Sequence, residues 1–146
     1  FERFNEAGKE TFAQRAAKVR DAGKHGIIIG RDSYGQGSSR EHAAICPMYL
    51  GIKVLIAMAI ERIHAANLVN FGIVPLTFAD KSDYDKIAEG DSIRIPQIRE
   101  ALTAGAPVSA TVVPASGAAP FEIKLNYNLT DEDIKIILAG GRLNLK

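Results

Sequence analysis

The stretch that most limits how this chain can fold covers residues 26–44. A short apolar run, Ile27-Ile28-Ile29, leads into Gly-Arg-Asp-Ser-Tyr-Gly-Gln-Gly-Ser-Ser-Arg-Glu-His-Ala-Ala at residues 30–44. The apolar run reads as a buried strand of a parallel sheet over residues 26–29. Gly30, Gly35 and Gly37 then allow sharp turns and close backbone approach, because glycine alone accepts φ > 0 without strain. Ser38 followed three residues later by Glu41 matches a capping box and predicts a helix starting at Ser39 or Arg40. The product is a strand, a glycine loop and a helix N-terminus carrying two hydroxyls and a guanidinium. Backbone N–H groups and the helix dipole favour a bound anion there.

Known glycine-loop motifs fail on these residues. A phosphate-binding P-loop needs Lys followed by Ser or Thr after its second glycine, but Gln36-Gly37 follows Gly35. A dinucleotide fingerprint needs a third glycine where Arg40 stands. A nucleophile elbow needs Gly-x-Ser-x-Gly, which neither Ser38 nor Ser39 satisfies. Taken alone, Ser-x-x-Glu is first a helix cap and Arg40 a solvated first-turn residue.

Length bounds the rest: 146 residues suggest one domain, and 47% hydrophobic content suffices for a core. The net charge of +1, with Lys and Arg scattered among Asp and Glu, argues against nucleic acid and against a charged membrane surface. No apolar run is long enough to span a bilayer, and no signal peptide is visible. Cys46 is the only cysteine, so no internal disulfide forms, and a reducing compartment is expected: cytoplasm or mitochondrial matrix, not a secreted location. His25, His42 and His64 have no metal-ligand spacing, and one cysteine cannot hold an iron–sulfur cluster in the usual all-cysteine way.

Further elements follow from periodicity. Residues 11–22 place Phe12, Ala16 and Val19 on one helical face, with Gly23 as a stop. Pro47 is expected to end or kink the helix after the glycine loop near Cys46. Residues 53–57 read as a second buried strand and residues 59–71 as a helix. The inner face of that helix would be Ile60, Ile63, Ala66/Asn67 and Val69, with Gly72 ending it. A short third strand begins at Ile73-Val74 and is limited by Pro75. Beyond it come a polar helix (81–88), a strand (92–95), a helix (97–104) and two antiparallel strands (108–113 and 121–125). A last helix is capped by Thr130 and closed by Gly140. The expected fold is α/β, a single domain spanning 1–146. It would have a small, mainly parallel sheet flanked by helices, and a C-terminal strand pair plus helix. Phe1 falls within apparently helical sequence, so the N-terminal edge is expected to be truncated.

The string Tyr34-Gly35-Gln36-Gly37-Ser38-Ser39-Arg40-Glu41-His42-Ala43-Ala44 resembles the signature of the C-terminal swivelling domain of the aconitase family. The resemblance continues through Arg62-Ile63-His64-Ala65-Ala66-Asn67-Leu68 and from Asn70-Phe71-Gly72-Ile73-Val74-Pro75 to Asp80. It implies half of the active site of an iron–sulfur hydro-lyase that isomerises citrate and isocitrate through cis-aconitate, a step of the tricarboxylic acid cycle. Ser38 would be the catalytic base, Ser39 and Arg40 would bind substrate, and Gly35, Gln36 and Gly37 would shape the loop. The [4Fe-4S] cluster would sit on a partner domain or large subunit and not on this chain.

The chemistry asks for such groups. Removing a proton from carbon next to a carboxylate builds negative charge beside an existing charge, so fixed positive potential is needed. Arg40 can grip a carboxylate through its planar fork, and backbone N–H groups after Gly37 can receive another oxygen. Only a helix N-terminus and a neighbouring guanidinium could lower a serine pKa far enough for it to act as base. Glu41, His42, Arg62 and His64 read first as capping, packing or interface residues. Met58-Ala59 stands where related sequences commonly carry Lys-Ser, and the specificity arginine that the resemblance implies upstream is either absent here or cut away. Isopropylmalate or homocitrate therefore stays open as substrate, with the chain as a small subunit. So does a non-catalytic, anion-binding regulatory module.

Overall fold

In the computed structural model, which describes residues 11–37 and 40–145, the apolar runs become strands of one sheet. Helix α1 (Phe12–Asp21) opens with a capping box. Thr11 Oγ1 accepts from the Gln14 N–H at 3.2 Å, while Gln14 Oε1 accepts from the Thr11 N–H at 2.9 Å. Then come β1 (Gly26–Gly30), α2 (His42–Tyr49), β2 (Ile52–Ala57), α3 (Arg62–Asn70) and β3 (Val74–Phe78). A 3-10 turn (Lys81–Lys86) leads to β4 (Ser92–Arg94), α4 (Ile98–Ala104), β5 (Val108–Val113), β6 (Phe121–Asn126) and α5 (Asp131–Leu138).

The six strands are ordered β1-β2-β3-β6-β5-β4. β1, β2 and β3 are parallel, and β6 joins β3 antiparallel through only Thr77↔Asn126 and Phe78↔Leu125. The α/β architecture is as the sequence implies, with the parallel strands and the C-terminal strand pair fused edge to edge. Alternate residues of the parallel strands face opposite sides. Leu55 and Ala57 join Ala44 and Leu68 in one core, whereas Ile56 joins Leu76, Val112 and Ile123 in a larger one on the other face. Leu55, Ile56, Leu68, Ile73 and Leu76 are at most 1% exposed, and each such side chain contributes about 1.5–3 kcal/mol.

Several boundaries differ from the sequence reading, each for a physical reason. Helix α2 starts at His42, not at 39–40. Glu41 therefore occupies the N-cap with helical dihedrals and makes no side-chain capping bond among the described residues; the expected box partner, Ser38, lies outside them. Pro47 does not end that helix; the turn beyond it is held by the Leu50 N–H donating to the Cys46 carbonyl and by Met48 packed near Ala44. Helix α3 starts at Arg62 rather than 59, because residues 59–61 are extended and paired with Tyr34. Its buried residues are His64, Leu68 and Val69, while Ile63, expected inside, is 54% exposed. β3 runs through Pro75 to Phe78; β6 joins only at Thr77, so no ladder on that side exists for the missing N–H to interrupt.

Candidate functional site

The carboxyl ends of β1, β2 and β3 feed three segments toward one place: residues 31–37, 58–61 and 79–81. Ligands in open α/β sheets bind at this edge, where helix N-termini point outward. The strongest tie is made of main-chain atoms. The Tyr34 N–H donates to the Ala59 carbonyl and the Glu61 N–H donates to the Tyr34 carbonyl, both at 2.9 Å, forming an isolated parallel bridge between Tyr34 and Ile60. Two surface ties add less. Lys81 Nζ stands 3.2 Å from Asp32 Oδ1, an exposed pair worth about 0–1 kcal/mol. The Arg31 guanidinium lies 5.3 Å from the Tyr84 ring centroid, worth about 0.5–1 kcal/mol.

Below the loop sits His64. It is 6% exposed, its ring centroid is 5.5 Å from that of Tyr34, and its Nε2 has no hydrogen-bond partner among the described residues. Burial pushes the imidazole pKa below its ordinary value and the Tyr34 phenol above its own. A buried polar atom left unpaired costs about 1–3 kcal/mol, so this ring is held there by its surroundings. Gly35 presses directly on it. With φ +95°, a Cβ added at Gly35 would lie 2.7 Å from His64 Cδ2 and closer still to its Cβ and Cγ. Gly37, at φ +112°, has no atom within 4 Å of the same construction. One glycine is required by packing and by dihedral, the other by dihedral alone.

Residues 35–37 border a cleft of about 340 Å³ with Glu61, Arg62, Ile63, His64 and Asn67 on the opposite wall. That volume suits a small polar ligand. Arg62 is exposed and His64 buried, yet both reach the cleft, because it wraps around the first turn of α3. Gln36 is exposed at the rim. Arg40 is exposed just before α2, whose N-terminus carries no side-chain cap among the described residues. Ser38 and Ser39 lie outside the described residues. Sequence reasoning left His64 as a structural or interface residue; the signal that marks it is its i, i+4 pairing with Leu68 on the buried side of α3.

At residues 58–59, Met58 packs against the larger core and Ala59 contributes its carbonyl to the Tyr34 bridge. An iron–sulfur cluster does not fit these residues. Cys46 is exposed on α2, and no three His, Cys, Asp or Glu side chains among the described residues stand close enough together to hold a metal. Nor is any described helix long and apolar enough to cross a membrane.

Comparison with known proteins gives one consistent picture. Residues 2–81 match the model of the aconitase C-terminal domain. A putative mitochondrial aconitate hydratase of Aspergillus fumigatus is 38% identical over 144 residues, 97% of this chain and 18% of that protein. The mitochondrial aconitate hydratase of Schizosaccharomyces pombe is 39% identical over 135 residues, covering 92% of this chain and 17% of its own length. The chain thus spans less than a fifth of the curated relatives it matches. The crystal structure of a 3-isopropylmalate dehydratase from Methanocaldococcus jannaschii superposes with a TM-score of 0.60 and 29% identity, covering 82% of this chain and 61% of that one.

Proposed function

Because this chain belongs to the aconitase C-terminal domain family, we propose that it supplies one half of a hydro-lyase active site acting on citrate and isocitrate through cis-aconitate. In this reading it is a swivelling domain, working in the mitochondrial matrix or bacterial cytosol, that closes over the cluster-bearing part of the same enzyme. The observation that carries the reading is the loop at the carboxyl edge. Residues 35–37 line a cleft there, and α2 begins without a side-chain cap. The Ala43 and Ala44 N–H groups there donate to the Arg40 and Glu41 carbonyls, and a helix N-terminus as a whole favours an anion.

Arg40 binds a substrate carboxylate, and its planar fork fixes the orientation of that carboxylate as well as neutralising it. Ser39 adds a hydrogen bond to the substrate. Ser38 takes the proton from the carbon beside a carboxylate, its alkoxide favoured by the guanidinium and the helix N-terminus. The described residues hold no ligand set for a [4Fe-4S] cluster, and in this reading the cluster sits on the partner domains or large subunit. The likeness to a 3-isopropylmalate dehydratase supports a second reading, in which the chain is a small subunit handling a substrate such as isopropylmalate or homocitrate with the same groups.

The test is kinetic and uses the enzyme that contains this chain. Ser38→Ala should lower kcat by about three orders of magnitude with KM within a few-fold, because a base acts in the transition state. Arg40→Lys should raise KM and lower kcat together, since a point charge cannot reproduce a bidentate grip. Near-wild-type turnover by Ser38→Ala overturns the base assignment.

A further inference from the structure

We propose that His64 is a positioning residue for the glycine loop, its imidazole fixing the backbone of residues 34–37 from below. The inference rests on the carboxylate-binding role proposed above for that loop, and it adds a residue on a different helix. The geometry is reciprocal. Gly35 leaves room for no side chain because the imidazole fills the space, and the imidazole is 6% exposed because Gly35 and Tyr34 cover it. On one side of this contact Tyr34 is tied to residues 59 and 61 by two backbone hydrogen bonds. On the other, a would-be Cβ at Gly37 meets nothing within 4 Å among the described residues. The direction in which the loop leaves the sheet is therefore set at Tyr34 and Gly35, where His64 supplies the floor. A phenylalanine would fill that floor without leaving a nitrogen unpaired, so the histidine adds something the packing alone does not need: a ring that can take up a proton. A cation here lacks a hydrogen-bond partner at Nε2 among the described residues, and its fuller solvation from the cleft requires the covering loop to move.

The experiment is amide hydrogen exchange on the 146-residue chain, read at two loop amides with known acceptors: Tyr34, donating to the Ala59 carbonyl, and Gln36, donating to the Ser33 carbonyl at 3.3 Å. In His64→Ala both should exchange at least tenfold faster, while the amides of Ala110 and Ile123, paired between β5 and β6, keep their rates. A residue serving global stability alone would move both groups equally. His64→Phe should restore the loop amides at neutral pH. Lowering the pH should then speed them in the wild type, after correction for intrinsic chemistry, and leave the phenylalanine variant unchanged. Among the described residues, Tyr34 on the loop and Glu61 and Arg62 at the start of α3 are the other ionisable groups around the ring, and all three remain in that variant. The proposal is overturned if Tyr34 and Gln36 exchange at wild-type rates in His64→Ala, or if the acid response persists in His64→Phe. Should His64→Ala fail to fold, the phenylalanine arm decides alone. Neither arm needs substrate or turnover, so a failed catalytic assignment leaves the result readable.

Discussion

Helices α1 and α5 begin inside closed capping boxes, whereas α2 and α3 begin without a side-chain cap among the described residues. At α5 the Thr130 hydroxyl accepts from the Asp133 N–H at 3.2 Å, and Asp133 Oδ2 accepts from the Thr130 N–H at 2.9 Å. At α2 and α3 the N-cap residues are Glu41 and Glu61, and neither side chain makes a capping bond. α5 buries Ile134, Ile136 and Ile137 in the larger core, while α2 and α3 start at the carboxyl edge that carries the cleft. α4, which buries Leu102 in the larger core, also begins at Gln97 without a side-chain cap among the described residues, so the closed boxes single out α1 and α5.

The sharpest way to break this comparison is at the loop that separates the two kinds of helix start. Gly35→Ala should cost about 2–4 kcal/mol in urea unfolding, combining left-handed strain with a collision against His64. Gly37→Ala should cost about 1–2 kcal/mol, from strain alone. Equal costs would mean that the loop is not packed on α3. At the helix starts themselves, Thr130→Ala should lose about 1 kcal/mol and Glu41→Ala less than about 0.5 kcal/mol. A Glu41 effect as large as that of Thr130 would show that α2 is capped after all.

The smallest effect is on pH. Burial holds the His64 imidazole pKa below its ordinary 6.5, so near neutrality both folded and unfolded chains carry it neutral. As pH falls through 6.5 the unfolded chain takes up the proton first, and stability declines until the folded-state pKa is passed. A modest drop in Tm between pH 7 and 5 should therefore be seen in the wild type and be lost in His64→Phe. The carboxylates behave differently. Asp91 is depressed by the N–H groups of Ala115 and Ala88, and Asp80 by that of Ser82, so their stabilisation is lost only as pH falls below their ordinary 3.8.

Much of the fold was legible because it is written locally. The apolar runs at 26–29, 53–57, 108–113 and 121–125 became strands, and Thr130 with Asp133 announced α5 within four residues. The glycine string and the Arg62-Ile63-His64 segment likewise pointed to the aconitase family. What the sequence hid is long-range. The start of α3 is displaced because Tyr34 captures residues 59–61, a pairing no local window contains. The helix expected from Ser39 or Arg40 begins only at His42, two residues beyond Arg40. The burial of His64 depends on Gly35 and Tyr34, some thirty residues away, and so escaped a reading that judged it on its own helix.

The bridge between Tyr34 and residues 59–61 has one more consequence, and it concerns inheritance rather than mechanics. Its donors and acceptors are amide nitrogens and carbonyl oxygens, which every residue except proline offers alike. Mutation at Tyr34, Ala59 or Glu61 can therefore change the lettering of the joint without unfastening it, unless it brings proline to 34 or 61. Met58-Ala59 is one such spelling: a core-packing side chain and a bare methyl, on a backbone that still holds the loop in place.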